Sequence, residues 1–192
     1  MKLNEYNQIA MLNYRDYCDY LKQKYGPATC DYFTKSFNKN QKVTRTSEGL
    51  VCHHICEDKA IMLSTPEFAK RNPFEYQLAY NLVYCDYLEH LFLHILICEN
   101  PDPDTVELVG HGGVTNFLVP ELNDVYSGWK TNQKWRAICH SKIIDDKETY
   151  FELIKRYKHN FPKIDLCKSF NESFGLWKNK NNEVIYNIIK SL

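Results

Sequence analysis

The sequence predicts an α+β fold in which a mostly helical chain carries one small β-hairpin near its middle. Apolar and aromatic residues recur at helical spacing in four segments: Asn7–Tyr25, Gln133–Ile143, Glu148–His159 and Glu183–Leu192. Two short apolar runs, Leu50–His53 and Ala60–Leu63, are separated by polar residues and predict the hairpin. A length of 192 residues with 44% hydrophobic residues fits a single compact domain.

The segment after the hairpin predicts two helices and then loops. Ser64–Glu67 resembles a helix start with proline at the first helical position. The second helix is predicted over Asn81–Cys98. Val106–Tyr126 contains several glycines and a proline and is predicted to be rich in loops, and Lys168–Asn182 is predicted to be a surface loop. The chain then divides into a helical flank with a basic loop (1–48), a central segment (49–98) and a second helical flank (99–192).

The charge balance places any phosphate-binding surface in the flanks. The chain has 24 basic and 24 acidic residues, and the span 51–104 holds nine of the acidic residues and three of the basic ones. Nucleic-acid-binding proteins usually carry a basic excess. Four flank residues are the candidates for phosphate contact: Lys42, Arg45, Lys130 and Arg136. The last two lie beside Trp129 and Trp135, a mixture of basic and aromatic residues that nucleic-acid surfaces share.

The cysteines and the apolar segments indicate a cytoplasmic protein. The eight cysteines form no C-x-x-C pair, so a zinc ribbon is disfavoured. The first 13 residues are polar and resemble no signal segment. The longest apolar stretch, Leu88–Cys98, is too short to cross a bilayer. We therefore expect reduced thiols and no membrane partner.

A histidine pattern in the central segment predicts a catalytic metal site. His90 and His94 are four residues apart, so on a helix they share one face and can bind a single ion. A hairpin packed on that helix can bring His53 to the same ion. Three imidazoles with a coordination position left open are typical of a catalytic site rather than a structural one.

The residues Cys52-His53-His54-Ile55, Asn81-Leu82-Val83, His90 and His94 together resemble the HNH (His-Me finger, ββα-metal) endonuclease superfamily. The spacing most resembles that of the colicin-type DNases. The resemblance covers residues 49–97, about a quarter of the chain, and implies that a ββα-metal finger is embedded in the helical domain. Two departures stand out. Asp86 and Glu89 occupy positions where many members carry zinc-binding cysteines, and 27 residues separate His54 from Asn81.

The resemblance implies a role for each residue of the pattern. His53, His90 and His94 would bind one divalent ion, and His54 would be the general base that takes a proton from the attacking water. Asn81 would tie the hairpin loop to the helix and hold His54 in position. Three imidazoles suit Zn²⁺, Ni²⁺ or Mn²⁺, while many members with an acidic ligand use Mg²⁺. The implied substrate is double-stranded DNA, with RNA and a homodimer left open.

The same residues suggest two other kinds of metal site. A metallopeptidase needs H-E-x-x-H, but Leu91 follows His90 here, so that class is excluded. A zinc site formed by Cys52, Cys56, His90 and His94 is the second, and it leaves the paired histidines unexplained.

Two other functions stay open beside the endonuclease. The first is a catalytically inactive DNA-binding or inhibitor protein that keeps the finger as a metal-stabilised scaffold, which the zero net charge favours. The second is a toxin nuclease with a cognate immunity protein. A secretion signal or a translocation domain would favour it, and the sequence contains neither.

Overall fold

Helices surround one two-stranded antiparallel sheet, in agreement with the predicted α+β class. The computed structural model describes residues 1–104, 108–164, 166 and 179–192. In chain order its elements are α1 (Leu3–Ile9), α2 (Tyr14–Tyr25), β1 (Val51–His54), α3 (Pro66–Ala69), β2 (Leu82–Cys85), α4 (Tyr87–Glu99), α5 (Val119–Tyr126), α6 (Lys134–Ser141), α7 (Lys147–Asn160) and α8 (Asn179–Ser191).

The partner of the first strand differs from the prediction. β1 pairs with β2, with His53 opposite Val83 and His54 opposite Leu82, so the predicted hairpin partner Ala60–Leu63 is wrong. Ala60 and Leu63 are buried instead in a small cluster with Cys56. All four residues of β2 are buried, because both faces of the strand are covered. A continuous apolar run is typical of such a strand.

α4 starts six residues later than predicted because of its cap. The Asp86 side chain accepts a hydrogen bond from the Glu89 backbone N–H, and the Glu89 side chain accepts one from the backbone N–H of Asp86. This reciprocal capping box satisfies two N–H groups that a helix start leaves free. α4 is buried along most of its length, and it packs against α2, α7 and the segment Gly113–Leu118.

The N-terminal flank agrees with the predicted helices apart from one break. The predicted helix Asn7–Tyr25 is divided into α1 and α2, because the Asn13 side chain caps a new helix start by accepting from the backbone N–H of Asp16. α2 ends at Tyr25, the same residue at which the predicted helix ends, and Gly26 follows it with φ of +80°. Pro66 occupies the first turn of α3, which confirms that helix start.

The prediction of a loop-rich Val106–Tyr126 is wrong for most of its described part. Gly113–Leu118 forms a π-helical segment that leads directly into α5, whose first turn holds Pro120. Pro120 has no backbone N–H, so the helical hydrogen-bond ladder lacks one bond at this point, where π-helical geometry gives way to α-helical geometry. The predicted helices that correspond to α6 and α7 are confirmed, as is the terminal helix α8. Most of the predicted loop Lys168–Asn182 lies outside the described residues.

One large apolar cluster joins the three segments of the chain. It contains Tyr17 and Leu21 from the first flank, Leu91 from α4, and Leu122 and Leu153 from the second flank. A smaller cluster lies on the other side of the sheet and includes Tyr32, Leu50 and Leu82. The strand pair and α4 are therefore held by packing on both sides. In the described part of the chain, no helix combines the length and the apolar character needed to cross a membrane.

Candidate metal centre

The structure brings together the three histidines that the spacing singled out. Nδ1 of His53 lies 3.1 Å from Nε2 of His90, and Nε2 of His94 lies 3.2 Å from the same His90 nitrogen. β1 contributes His53, while α4 contributes His90 and His94 from consecutive turns. Two elements far apart in sequence therefore converge on one point.

Glu57 is a fourth candidate ligand, which the sequence prediction missed. Its Oε2 lies 3.5 Å from Nδ1 of His53 and 3.4 Å from Nε2 of His94. The ligand atoms of these four residues all lie within 4.8 Å of one another. Glu57 belongs to a single 3-10 turn, Ile55–Asp58, which follows β1 directly and returns the side chain to the helix.

The spacing of the four candidate ligand atoms fits a single metal ion. Ligand atoms bonded to one ion at about 2.0–2.2 Å lie about 3.3–3.6 Å apart in a tetrahedron. Four of the six separations are 3.1, 3.2, 3.4 and 3.5 Å, and all six are within 4.8 Å. Imidazole nitrogen and carboxylate oxygen are both ordinary ligands of divalent ions. The cluster could therefore hold one such ion.

The proton on His53 is directed away from the cluster. The Tyr14 hydroxyl donates to the carbonyl of Ile55 at 2.9 Å, so it must accept the hydrogen bond it shares with Nε2 of His53, also at 2.9 Å. A neutral imidazole carries one proton, so Nδ1 of His53 has a free lone pair that faces His90. Fixing a ligand in this way is the usual task of the residues behind a metal-binding histidine.

The remaining contacts between the histidines are better satisfied by a cation than by hydrogen bonds. Each nitrogen of a neutral imidazole is either a donor or an acceptor. Nε2 of His90 cannot donate to His53 and also accept from His94. A positive ion at the centre of the cluster would satisfy all three lone pairs at once.

Burial shifts every ionisable group of the cluster toward its neutral form. Burial lowers the pKa values of His53 and His90 well below their ordinary range, and neighbouring imidazoles lower them further. Burial also lowers the pKa of His94 to about 4 and raises the pKa of Glu57 to about 8. The imidazoles are thus unprotonated at neutral pH, as metal ligands must be.

Replacing Tyr14 with phenylalanine should weaken metal binding on the order of 10-fold, because His53 loses the acceptor that orients it. Tyr20→Phe is the matched control, since it removes a hydroxyl from the same helix whose contact is Glu5. Competition with a chromophoric chelator measures both affinities. Equal affinity in the two variants would show that Tyr14 does not set the orientation of His53.

Without metal, Glu57 should make the protein less stable as the pH rises. Its pKa is near 4.5 in the unfolded chain and about 8 in the folded protein, so the folded state binds more protons between these values. Stability is then greatest below pH 4.5 and is lost as the pH rises through 8. In EDTA, the Tm of the native protein should fall by several degrees relative to that of Glu57→Gln between pH 5 and 8. Parallel Tm profiles would contradict the raised pKa.

His54 lies on the opposite face of β1 from His53. The strand runs through both residues, and successive side chains of a strand point to opposite faces. The His54 ring packs at 4.4 Å from the ring of Tyr32, and its Nε2 contacts Oε1 of Gln77 at 3.0 Å. Burial lowers its pKa to about 4.

The free nitrogen of His54 faces Glu57. The Gln77 amide donates to the carbonyl of Leu63, so its oxygen accepts from Nε2 of His54, and Nδ1 keeps a lone pair. This Nδ1 is buried without a hydrogen-bond partner in the described part of the chain. It lies 3.8 Å from Oε1 of Glu57. The Glu57 carboxylate therefore lies beside both the candidate metal ligands and His54, the predicted base.

The expected contact of Asn81 is made by another residue. The Asn81 side chain donates to the carbonyl of Glu75, and the residue that holds His54 is Gln77. Asn81 precedes β2 rather than entering the helix, so its side chain stays within the loop. The alternative zinc site is also not assembled, because neither Cys52 nor Cys56 belongs to the converging group.

The group of candidate ligands (His53, Glu57, His90 and His94) borders a cleft of about 800 Å³. Glu57, His90 and His94 line it, whereas His53 and His54 do not. Apolar and small residues form most of its wall, and among the described lining residues none is lysine or arginine. A substrate would therefore meet the cluster from this side, through Glu57 and the two helical histidines.

The four candidate phosphate contacts divide into two kinds. The Arg45 guanidinium is paired with Glu48 and also donates to the carbonyl of Tyr25. The Arg136 guanidinium forms a bidentate ion pair with Glu121, which lines the cleft. Lys42 and Lys130 are exposed. The lysines are therefore the more available charges for an external phosphate.

Comparison of the chain with family models, with curated proteins and with solved structures finds no match.

Proposed function

We propose that this chain is a metal-dependent endonuclease with a ββα-metal (HNH) finger, which hydrolyses phosphodiester bonds in double-stranded DNA. The finger would consist of β1, β2 and α4, which follow one another in that order. The observation that carries the proposal is the convergence of His53, His90 and His94 on one point, with a free nitrogen of His54 close by.

The roles of the residues follow from their contacts. An ion held by the three histidines and Glu57 would supply positive charge where the leaving oxygen becomes negative. His54 would take a proton from the attacking water at Nδ1, because its other nitrogen is held by Gln77. Tyr14 would keep the Nδ1 lone pair of His53 directed at the cluster. Lys42 and Lys130 would contact phosphates outside the cleft.

One observation favours a second candidate, the inactive metal-stabilised scaffold that binds DNA or inhibits another protein. Four protein ligands complete a tetrahedral shell, and closed shells are typical of structural zinc, whereas catalytic zinc keeps one position open. With Glu57 as a ligand, the shell of a tetrahedral ion would be complete here. Both candidate functions predict that the protein binds a metal ion, but only the endonuclease predicts that it cleaves DNA.

The test incubates the purified protein with supercoiled plasmid and, in separate reactions, Mg²⁺, Mn²⁺, Ni²⁺ or Zn²⁺. We expect metal-dependent nicking that EDTA stops and that His94→Ala abolishes. His159→Ala is the matched control, because this histidine is exposed at the end of α7 and distant in sequence from the cluster. A protein that binds the ion yet cuts no plasmid with any metal would support the scaffold. A parallel reaction with an RNA of mixed structure distinguishes the two nucleic acids.

A further inference from the structure

The Glu57 carboxylate belongs both to the group of candidate ligands and to the wall of the cleft. It contributes one oxygen to the converging ligand atoms and also lines the cleft. Its side chain is 14% exposed, whereas that of His53 is fully buried. An anion that approaches the candidate site from the cleft therefore meets this carboxylate together with His90 and His94.

Glu57 is the ligand that the fold holds least firmly. His90 and His94 belong to α4, a helix of 13 residues packed on several sides. His53 lies in a paired strand and is oriented by Tyr14. Glu57 projects from one 3-10 turn, and in the described part of the chain its ion-pair contacts are with histidines alone.

The buried surroundings also provide a reason for the carboxylate to move. Nδ1 of His54 has no hydrogen-bond partner within the described residues, although it lies in a buried position. A buried polar atom without a partner is costly, so a group is expected to reach it during function. Oε1 of Glu57 lies 3.8 Å from this nitrogen, and Glu57 lines the cleft whereas His54 does not.

We propose that Glu57 is a displaceable fourth ligand, and that the position it occupies on the metal centre is the binding position for a phosphate oxygen of the substrate. This inference rests on the proposed function for the identity of the anion. It reconciles a closed four-ligand shell with catalysis, because the shell opens when the anion replaces the carboxylate. Movement of the carboxylate would also change the surroundings of Nδ1 of His54, which lies 3.8 Å from Oε1.

The test uses the full chain loaded with Co²⁺, whose visible absorption reports the number and type of ligands. Dimethyl phosphate, the smallest phosphodiester anion, is titrated into the native protein, Glu57→Ala, Glu57→Gln and the matched control Glu67→Ala, whose carboxylate is exposed on α3. An occupant that must leave first lowers the apparent affinity by the fraction of open centres. The two Glu57 variants should therefore bind dimethyl phosphate at least about 10-fold more tightly than the native protein.

Glu67→Ala should behave like the native protein, and both Glu57 variants should bind Co²⁺ more weakly than it does. Equal or weaker anion binding by both Glu57 variants would overturn the proposal. Loss of Co²⁺ binding in both variants would overturn it too, because a displaceable ligand cannot be indispensable for the ion. No step of this titration requires cleavage, so a failure here is separate from a failure to nick plasmid.

Discussion

Replacing His54 with alanine is expected to slow phosphodiester cleavage on the order of 10²–10⁴-fold while the protein keeps its metal ion. His54 contributes no atom to the converging ligand group, so the affinity for the ion should change little. The expected loss comes from the missing base, because Nδ1 of His54 has no hydrogen-bond partner among the described residues and lies 3.8 Å from Oε1 of Glu57. Plasmid nicking under single-turnover conditions and a chelator competition measure the two quantities.

A second variant distinguishes the loss of the base from misfolding of the protein. His54 is completely buried, so the alanine leaves a cavity beside Tyr32. His54→Gln fills more of the space without supplying an imidazole, and it should lose cleavage to the same extent. A variant that binds the ion, keeps the native circular dichroism spectrum and still cuts at the native rate would remove His54 from the mechanism.

Replacing Gly113 with alanine is expected to weaken metal binding on the order of 100-fold, the upper end of effects from residues behind a ligand. A Cβ at this position would lie 2.3 Å from Nδ1 of His94 and 2.4 Å from its Cε1, far inside van der Waals contact. The ring of His94 must then rotate or shift, which takes its Nε2 out of the cluster. Crowding in a packed region should also lower the stability by about 1–3 kcal/mol.

The neighbouring glycine provides a matched control. A Cβ on Gly112 would meet only the Asn116 side-chain nitrogen, at 3.8 Å, which is ordinary contact distance. Gly112→Ala should therefore bind the ion like the native protein. Zinc titration followed by calorimetry compares the two variants, and similar affinities would mean that the π-helical segment does not support His94.

The sequence carried enough information to identify the helical half of the metal cluster. Helical spacing of four residues is a local property, so His90 and His94 could be assigned to one face without knowledge of the fold. His53 followed from the paired histidines before a predicted turn. The capping box at Asp86 and Glu89 is also local, and a helix starting at Tyr87 could have been predicted from it.

Glu57 and Gln77 could not be predicted in the same way. Glu57 reaches the cluster because a 3-10 turn follows β1, and the spacing along a strand says nothing about the direction after such a turn. Gln77 lies in the long loop before β2, where no periodicity constrains side-chain direction. Asn81 was chosen from the resemblance alone. Contacts that depend on loop conformation become visible only in three dimensions.

The error in strand pairing has a different cause. Short apolar runs are compatible with a strand or with a buried helix. The run Leu82–Cys85 was joined to the following helix, and Ala60–Leu63 was then the nearest available partner for β1. Pairing between β1 and β2 spans a long loop, so the choice depends on the core that covers both faces of the sheet.

X-ray absorption of the protein loaded with one equivalent of Zn²⁺ tests the central claim, that one ion is held by the rings of His53, His90 and His94 and by the Glu57 carboxylate. The spectrum should show four nitrogen or oxygen neighbours at about 2.0–2.2 Å, with the multiple scattering of three imidazoles. His94→Ala should remove one imidazole from it. A sulfur neighbour at about 2.3 Å, or a spectrum unchanged in His94→Ala, would place the ion elsewhere and contradict the site.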